Sequence, residues 1–281
     1  CIEKVKRKLG QKKIGHAGTL DPMATGVLVV LLGKATKLSQ FLMGGDKVYT
    51  GQLKLGETTD TYDAEGEVIA TESTDGVTIE LLADAIKHWL VETEQEVPAY
   101  SAAKHKGDPL YKLARQGKDE PVKKKAIHIS EAEVISIDLP FAEFRVRVSS
   151  GTYIRSLVHS LGKRVGCGAH LTELTREHSR PYGLESAQNL DEVLADPEGF
   201  PDRVLPLASA LPDWPKVMLT GAQEALLRNG TWLPVTETDS PDSVEIGDKA
   251  LLTGPDGHEL ATVEAKDRDG VVSWAIIRGL W

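Results

Sequence analysis

The chain has 281 residues, 41% of them hydrophobic, and its 33 Lys and Arg against 42 Asp and Glu leave a formal net charge of −9. That length suits one large domain, or a large and a small one, at roughly 100–200 residues per domain. The two cysteines, Cys1 and Cys167, match no metal-ligand spacing and exclude a disulfide framework or a zinc finger, which places the chain in a reducing compartment.

Charge is unevenly spread. Residues 1–50 carry nine basic and three acidic side chains, a net of +6, whereas residues 51–100 carry two against twelve, a net of −10. An acidic total argues against a phosphate-rich partner, but partner choice follows local placement. Two basic stretches, Lys4 to Lys13 and Lys104 to Lys125, are expected to form a basic face. No signal peptide is visible, and the longest aliphatic run is far short of the ~20 residues a membrane-spanning helix needs.

In chain order, Lys4 to Leu9 reads as a basic helix ending at Gly10. A glycine-rich loop follows, and then Val27 to Leu32, a continuous aliphatic run that predicts a central strand buried on both faces. Tyr49, Leu53 and Leu55 alternate with Thr50, Gln52 and Lys54, which predicts a strand with Tyr49 on its apolar side. Ile79, Leu82, Ile86 and Trp89–Leu90 predict an amphipathic helix over 79–91 with Thr78 at its N-cap. Phe144, Val146 and Val148 predict a further strand. After it, Ile154, Leu157, Val158, Leu161 and Val165 fall on one helical stripe. Arg155 lies beside that stripe near the helix N-terminus, where the helix dipole disfavours a cation, so an anionic partner is expected.

A boundary is expected at Pro201, Pro206, Pro212 and Pro215. Beyond it come a short helix at Ala222–Arg228 and β segments separated by the turns Gly254-Pro255-Asp256-Gly257 and Asp267-Arg268-Asp269-Gly270, the pattern of a small β-barrel-like module.

The densest cluster of unusual residues is Gly15-His16-Ala17-Gly18-Thr19-Leu20-Asp21-Pro22-Met23-Ala24-Thr25-Gly26. Its glycines and proline forbid a regular helix or strand and make it an ordered loop, whose only ionisable side chains are His16 and Asp21. Spacing alone leaves Asp21 either as a reactive carboxylate or as the cap of an Asp-Pro turn.

This cluster resembles the catalytic signature of TruB-type tRNA pseudouridine-55 synthases, the stand-alone bacterial kind. The resemblance continues in order through Lys34-Ala35-Thr36-Lys37, Asp46-Lys47-Val48-Tyr49, Leu55-Gly56-Glu57-Thr58-Thr59-Asp60-Thr61-Tyr62-Asp63-Ala64-Glu65-Gly66, Tyr100-Ser101-Ala102-Ala103-Lys104, Ser150-Gly151-Thr152-Tyr153-Ile154-Arg155-Ser156-Leu157 and His170-Leu171-Thr172-Glu173-Leu174. It covers about residues 10–190, and the last seventy residues are similar only in outline to a PUA-type module. The resemblance implies a mixed α/β (α+β) fold. A pseudouridine-synthase catalytic domain over residues 1–210 would hold a central, mostly antiparallel sheet flanked by helices, and a small β-rich PUA-like RNA-binding module would occupy residues 211–281. The family normally begins with a strand bearing an Asp-Lys-Pro-type segment upstream of the basic helix, and this sequence starts inside that helix.

The reaction so implied detaches uridine 55 of the tRNA T-loop from its ribose at N1, turns it and rejoins it through C5, without cofactor or metal. Asp21 is then the catalytic carboxylate, whether it adds to C6 of the base or captures C1′ of the ribose. Arg155 is its ion-pair partner, and Tyr49 stacks on the target base, which must flip out of the folded loop to react. A phenol of ordinary pKa near 10 is a poor base at neutral pH, so proton removal from C5 by Tyr49 needs environmental tuning or a water relay. By the same resemblance His16 contacts the flipped region, Tyr153 and Leu174 line the base pocket, and Lys37 and Lys104 touch the RNA backbone. The expected partner is the tRNA T-stem-loop, bound by a cytoplasmic monomer with no membrane or obligate protein partner. The alternative is a non-catalytic tRNA-binding or tRNA-folding protein that retains the synthase fold. A guide-RNA-dependent relative is disfavoured by the compact length and weakly basic tail.

Overall fold

The computed structural model describes residues 1–101, 103–105, 108–110 and 123–281, with only the backbone of 104, 105, 108 and 109. Most of the basic stretch Lys104 to Lys125 therefore lies outside the described residues. Two compact units emerge, and neither is continuous in sequence: one comprises residues 18–28 and 44–187, the other residues 1–17, 29–43 and 188–281.

The first unit is built on a six-stranded sheet whose centre is the strand Lys47–Leu55. On one side it pairs antiparallel with Phe141–Val148, which pairs in turn with Ile129–Asp138; on the other it pairs antiparallel with Ala169–Ser179. Thr25–Gly26 joins Ala169–Ser179 as a short parallel neighbour. Period-2 alternation places Tyr49, Leu53, Leu55, Phe144, Val146 and Val148 in one buried cluster, which Leu171 and Leu174 both join because the register shifts between Leu171 and Glu173. Arg145 and Arg147 alternate with these residues and form ion pairs with Glu177 at 2.8 Å and Glu131 at 2.7 Å.

Two helices cover the apolar face. Ile79–Lys87 starts at Thr78, whose hydroxyl accepts the Leu81 N–H at 3.2 Å as the capping argument requires, and it continues as the 3-10 turn His88–Val91. Leu82, Ile86 and Trp89 are fully buried, each contributing roughly 1.5–3 kcal/mol of apolar transfer, and Trp89 meets Phe144 edge to face at 5.0 Å. Ile79 and Leu90, on the same predicted stripe, are exposed because they lie at the ends of the segment, beyond the sheet's cover.

The second helix, Ile154–Val165, buries Ile154, Leu157, Val158 and Leu161 as its stripe predicts, and ends in a left-handed Gly166. It approaches the strand Ala169–Ser179 so closely that a Cβ on Gly162 would stand 2.2 Å from the Ala169 nitrogen.

The second unit contains the basic helix Ile2–Lys8, a two-stranded pair of Ile14–His16 with Val30–Leu32, and a five-stranded sheet. That sheet runs in the order Lys216–Met218, Lys249–Thr253, Glu259–Arg268, Val271–Gly279, Leu233–Pro234, around a core that includes Val217, Leu252, Val263 and Trp274. Asp269 and Gly270 both take positive φ, 55° and 84°, as a two-residue hairpin turn demands. The helix Gly221–Arg228 opens with a full capping box of Thr220 and Gln223. Among the described residues no helix is long and apolar enough to cross a membrane.

The expected central strand Val27 to Leu32 is corrected. Only Val30–Leu32 is strand, its burial alternates instead of being complete on both faces, and the chain passes from one unit to the other between Leu28 and Val29. An aliphatic run divided between two compact units imitates a strand buried on both sides.

A Gly162→Ala substitution tests the close helix–strand approach. Helix propensity favours Ala by ~1 kcal/mol, but overpacking against backbone costs ~1–3 kcal/mol, so a net loss of up to about 2 kcal/mol is expected in urea unfolding. A gain in stability would show that the helix does not need this contact.

Candidate active site

Asp21 opens a tight turn in which the Ala24 N–H donates to the Asp21 carbonyl at 2.9 Å. The main chain closes the turn and Pro22 pre-sets its second position, so the carboxylate is not used as a cap. The rest of the loop is tied to the strand Ala169–Ser179. Thr25 and Thr175 share a hydroxyl hydrogen bond at 2.8 Å, and the Val27 N–H donates to the Arg176 carbonyl at 2.8 Å. Gly26, at φ 93°, lies so close that a Cβ would stand 2.3 Å from that carbonyl oxygen. The buried Arg176 side chain donates from Nε to the Val27 carbonyl at 2.7 Å, from Nη2 to Gly18 at 3.2 Å and from Nη1 to Thr19 at 3.4 Å. One guanidinium therefore pins both limbs of the loop that carries Asp21.

Arg155, the second residue of its helix, meets the Asp21 carboxylate side by side: Nε donates to Oδ2 and Nη2 to Oδ1, both at 2.9 Å. It also donates to the Thr61 carbonyl at 3.0 Å and the Tyr100 carbonyl at 3.1 Å, and its Nη1 forms an ion pair with Asp63 Oδ2 at 3.2 Å. The side chains of Arg155 and Asp63 are 5% and 3% exposed, whereas that of Asp21 is 31% exposed. The anion expected from the helix-dipole argument is thus present twice, one carboxylate buried behind the arginine and one at the surface. Asp63 is further held by the Thr61 hydroxyl at 2.6 Å and the Glu65 N–H at 3.1 Å. The motif Leu55 to Gly66 contains Asp63, but sequence reasoning assigned it no role; only its burial beside Arg155 sets it apart.

The segment 61–63 runs along this helix. Tyr62 takes φ 66°, a left-handed conformation that costs an aromatic residue ~1–2 kcal/mol. Its ring stacks on His159 with centroids 3.7 Å apart and planes 11° from parallel. Stacking returns about 0.5–1.5 kcal/mol, and the Tyr62 carbonyl is also held by the Leu171 N–H at 3.0 Å, so the strained conformer is supported from two sides. Burial and the nearby Lys163 push the His159 imidazole down to about 4.

The other expected residues fall into two groups. Tyr49 is buried on the central strand directly opposite Arg176. Burial raises its phenol above the ordinary range, against the pull of Arg176, and Asp21 adds to the rise. Leu174 lies two residues along the same strand as Arg176, in the same apolar cluster as Tyr49. Tyr153 caps the Arg155 helix, its N–H donating to Gln95 Oε1 at 2.6 Å and its carbonyl accepting from Gln95 Nε2 at 3.2 Å. Asp21, Tyr49, Arg155, Tyr153 and Leu174 thus belong to one unit, together with Asp63 and Arg176.

His16 and Lys37 belong to the other unit. His16 pairs with Val30, and its Nδ1 is buried without a hydrogen-bond partner among the described residues. Lys37 Nζ donates to the carbonyls of Gly279 at 2.7 Å and Trp281 at 2.9 Å. The backbone of Lys104 pairs with Pro109; its side chain lies outside the described residues. Among the described residues no group of three or more His, Cys, Asp or Glu is placed to hold a metal ion.

Chemically, the arrangement presents a carboxylate with each oxygen held by one N–H and, among the described residues, no further partner on its outer edge. A rigid oxygen nucleophile needs this geometry.

Removing Asp63 leaves a buried cation with one carboxylate instead of two. Asp63→Ala is therefore expected to cost roughly 3–5 kcal/mol in urea unfolding, and Asp21→Ala at the more exposed end clearly less. Equal losses would contradict the buried relay. A second expectation concerns pH. Between pH 6.5 and 4 the unfolded chain takes up a proton on His159 that the folded chain refuses, so this contribution is complete above 6.5 and fades as pH falls. The urea midpoint of wild type should drop more between pH 7 and 4.5 than that of His159→Phe; parallel curves would contradict it.

Residues 6–154 match the family described as TruB family pseudouridylate synthase (N terminal domain). The tRNA pseudouridine synthase B of Nitratidesulfovibrio vulgaris (strain Miyazaki F) is 57% identical over 285 residues, covering 100% of this chain and 92% of that protein. The tRNA pseudouridine synthase B of Thermotoga maritima is 37% identical over 265 residues, covering 94% and 85%. Among solved structures, a chain of a Cbf5-Nop10-Gar1 complex matches with a TM-score of 0.73 and 25% identity over 99% of this chain and 79% of that one. A chain of an H/ACA RNP bound to a substrate RNA containing 2'-deoxyuridine matches in fold, with a TM-score of 0.71 and 23% identity over the same shares. Both likenesses extend over the C-terminal five-stranded sheet, which fits a PUA-like module. The chain belongs to the TruB family of pseudouridylate synthases.

Proposed function

We propose that this chain converts a uridine of tRNA, at position 55 of the T-loop, to pseudouridine, with Asp21 as the reacting carboxylate. The observation that carries the reading is the side-by-side Arg155–Asp21 pair, in which the arginine is buried and held by four hydrogen bonds while the carboxylate keeps a reachable edge. Family membership supports the reaction class, and the relatives' printed names support tRNA as substrate.

In the reaction the N1–C1′ bond breaks, a C5–C1′ bond forms, the C5 proton leaves and N1 gains one. Asp21 supplies the nucleophilic oxygen for either route, and Arg155 holds it in orientation. Tyr49 serves as the stacking platform for the flipped base. Its raised phenol suits the neutral form, so removal of the C5 proton falls to a water relay and not to a phenolate.

Tyr153 and Leu174 complete the base pocket, and His16, Lys37 and Lys104 contact the RNA. For Lys37 that means exchanging two main-chain carbonyls for a phosphate. Residues 1–210 form the catalytic domain and residues 211–281 the RNA-binding module, and the enzyme works in the cytoplasm as a monomer without a protein partner.

Incubation with tRNA carrying tritium at uridine C5 should release label. Asp21→Asn should release at least about 10³-fold less while still binding the tRNA, a loss on the scale of removing a catalytic nucleophile. Binding without release by the wild-type chain, or release surviving in Asp21→Asn, would overturn the reading. Affinity for tRNA should also fall steeply between about 50 and 200 mM salt as released counterions are paid back.

A further inference from the structure

Arg155 and His159 stand four residues apart on the helix Ile154–Val165, which puts them on one face, one turn apart. Three consecutive residues lie against that face and alternate between the two side chains. Thr61 gives its carbonyl to Arg155 Nη1 at 3.0 Å, Asp63 gives Oδ2 to the same nitrogen at 3.2 Å, and Tyr62 between them stacks on His159 at 3.7 Å. The backbone of this strap is not relaxed: Tyr62 and Asp269 are the only non-glycine residues at positive φ among the described residues, and Asp269 is accounted for by its hairpin turn. Turning Tyr62 out of the left-handed region would swing the Thr61 carbonyl and the Asp63 carboxylate apart, because one peptide joins each of them to Tyr62. The site described above uses neither the Tyr62 ring nor the His159 ring.

We propose that the Tyr62–His159 stack is a latch that holds the strap in its strained form and thereby orients Arg155 and, through it, Asp21. Both are positioning residues, and the inference rests on the reading of Asp21 as the reacting carboxylate. The latch acts through planarity and contact, not through charge. Its two rings line a recess of about 380 Å³ bounded also by Gln95, Ser156, Ser160 and Lys163, so another flat ring has room at position 159.

The test uses the full chain with C5-tritiated tRNA under single-turnover and steady-state conditions. A loosened Asp21 geometry predicts that His159→Ala and Tyr62→Ala lower kcat by roughly 10–100-fold, with KM changed by no more than about 2-fold. His159→Phe and Tyr62→Phe should restore kcat to within a few-fold of wild type. Independently of activity, the Nε–H resonance of Arg155, assigned with Arg155→Lys, should shift and exchange faster in the Ala variants and stay in place in the Phe variants. Unchanged kcat in the Ala variants, equal losses in the Ala and Phe pairs, or a loss of kcat with the Arg155 resonance unmoved would each overturn the latch. Should His159→Ala fail to fold, His159→Leu keeps apolar bulk without a planar ring and is read in the same way. Absence of tritium release from wild type would instead overturn the proposed reaction, while the Arg155 resonance continues to report on the latch.

Discussion

A guanidinium that is 5% exposed has to find its hydrogen-bond acceptors within the protein, because each donor left unpaired in a buried site costs ~1–3 kcal/mol. Arg155 places four hydrogen bonds on the Asp21 carboxylate and the carbonyls of Thr61 and Tyr100 and adds an ion pair with Asp63, partners drawn from three separate segments of the chain. Every other element of the site follows from it. The helix bearing Arg155 must sit deep on the sheet, which Gly162 allows. The strap 61–63 must turn its acceptors inward, which places Tyr62 at a positive φ. The loop bearing Asp21 must be held still, which the Arg176 side chain does by bonding three of its carbonyls.

The electrostatics follow the same order. Two carboxylates flank one guanidinium, and the gradient of exposure from Asp63 through Arg155 to Asp21 leaves the outer carboxylate as the part that incoming molecules meet. An isolated buried ion pair is a weak source of stability, since desolvation offsets most of the Coulomb gain. Here the arrangement has a different use: the inner aspartate offsets the cost of burying the arginine, and the arginine orients the outer aspartate. Arg176 and Tyr49 form a neighbouring cross-strand pair in which burial keeps the phenol protonated. In the proposed reaction that division leaves nucleophilic work to Asp21 and contact with the base to Tyr49.

Net charge is a poor guide to such a protein. The acid excess is concentrated in residues 51–100, and several of those acids are engaged within the fold: Asp63 with Arg155, Glu57 with Lys54, Glu92 with Arg164, and Glu94 with Lys124. The basic helix Ile2–Lys8, by contrast, carries exposed lysines at 4, 6 and 8. The acidic total thus combines groups already satisfied internally with a basic surface left available to a phosphate backbone.

Much of the local structure was legible in the sequence because its signals are local. The stripe from Ile154 to Leu161, the Thr78 cap, the Asp269–Gly270 turn and the alternation around Tyr49 depend on residues within a turn or two of one another, and each appears where the pattern places it. The motif resemblance also singled out Asp21 and Arg155, but nothing in spacing could join residues 134 positions apart. Nor could spacing tell the aliphatic run from Val27 to Leu32 from a doubly buried strand, or distinguish the buried Leu82 from the exposed Ile79 on one helical face. Asp63 and Tyr62 received no role from the sequence for the same reason. Which apolar side chains are covered, which acid is desolvated and which backbone is held under strain are decided by the surfaces that meet on folding. Those surfaces come from distant parts of the chain, so only the tertiary structure determines them.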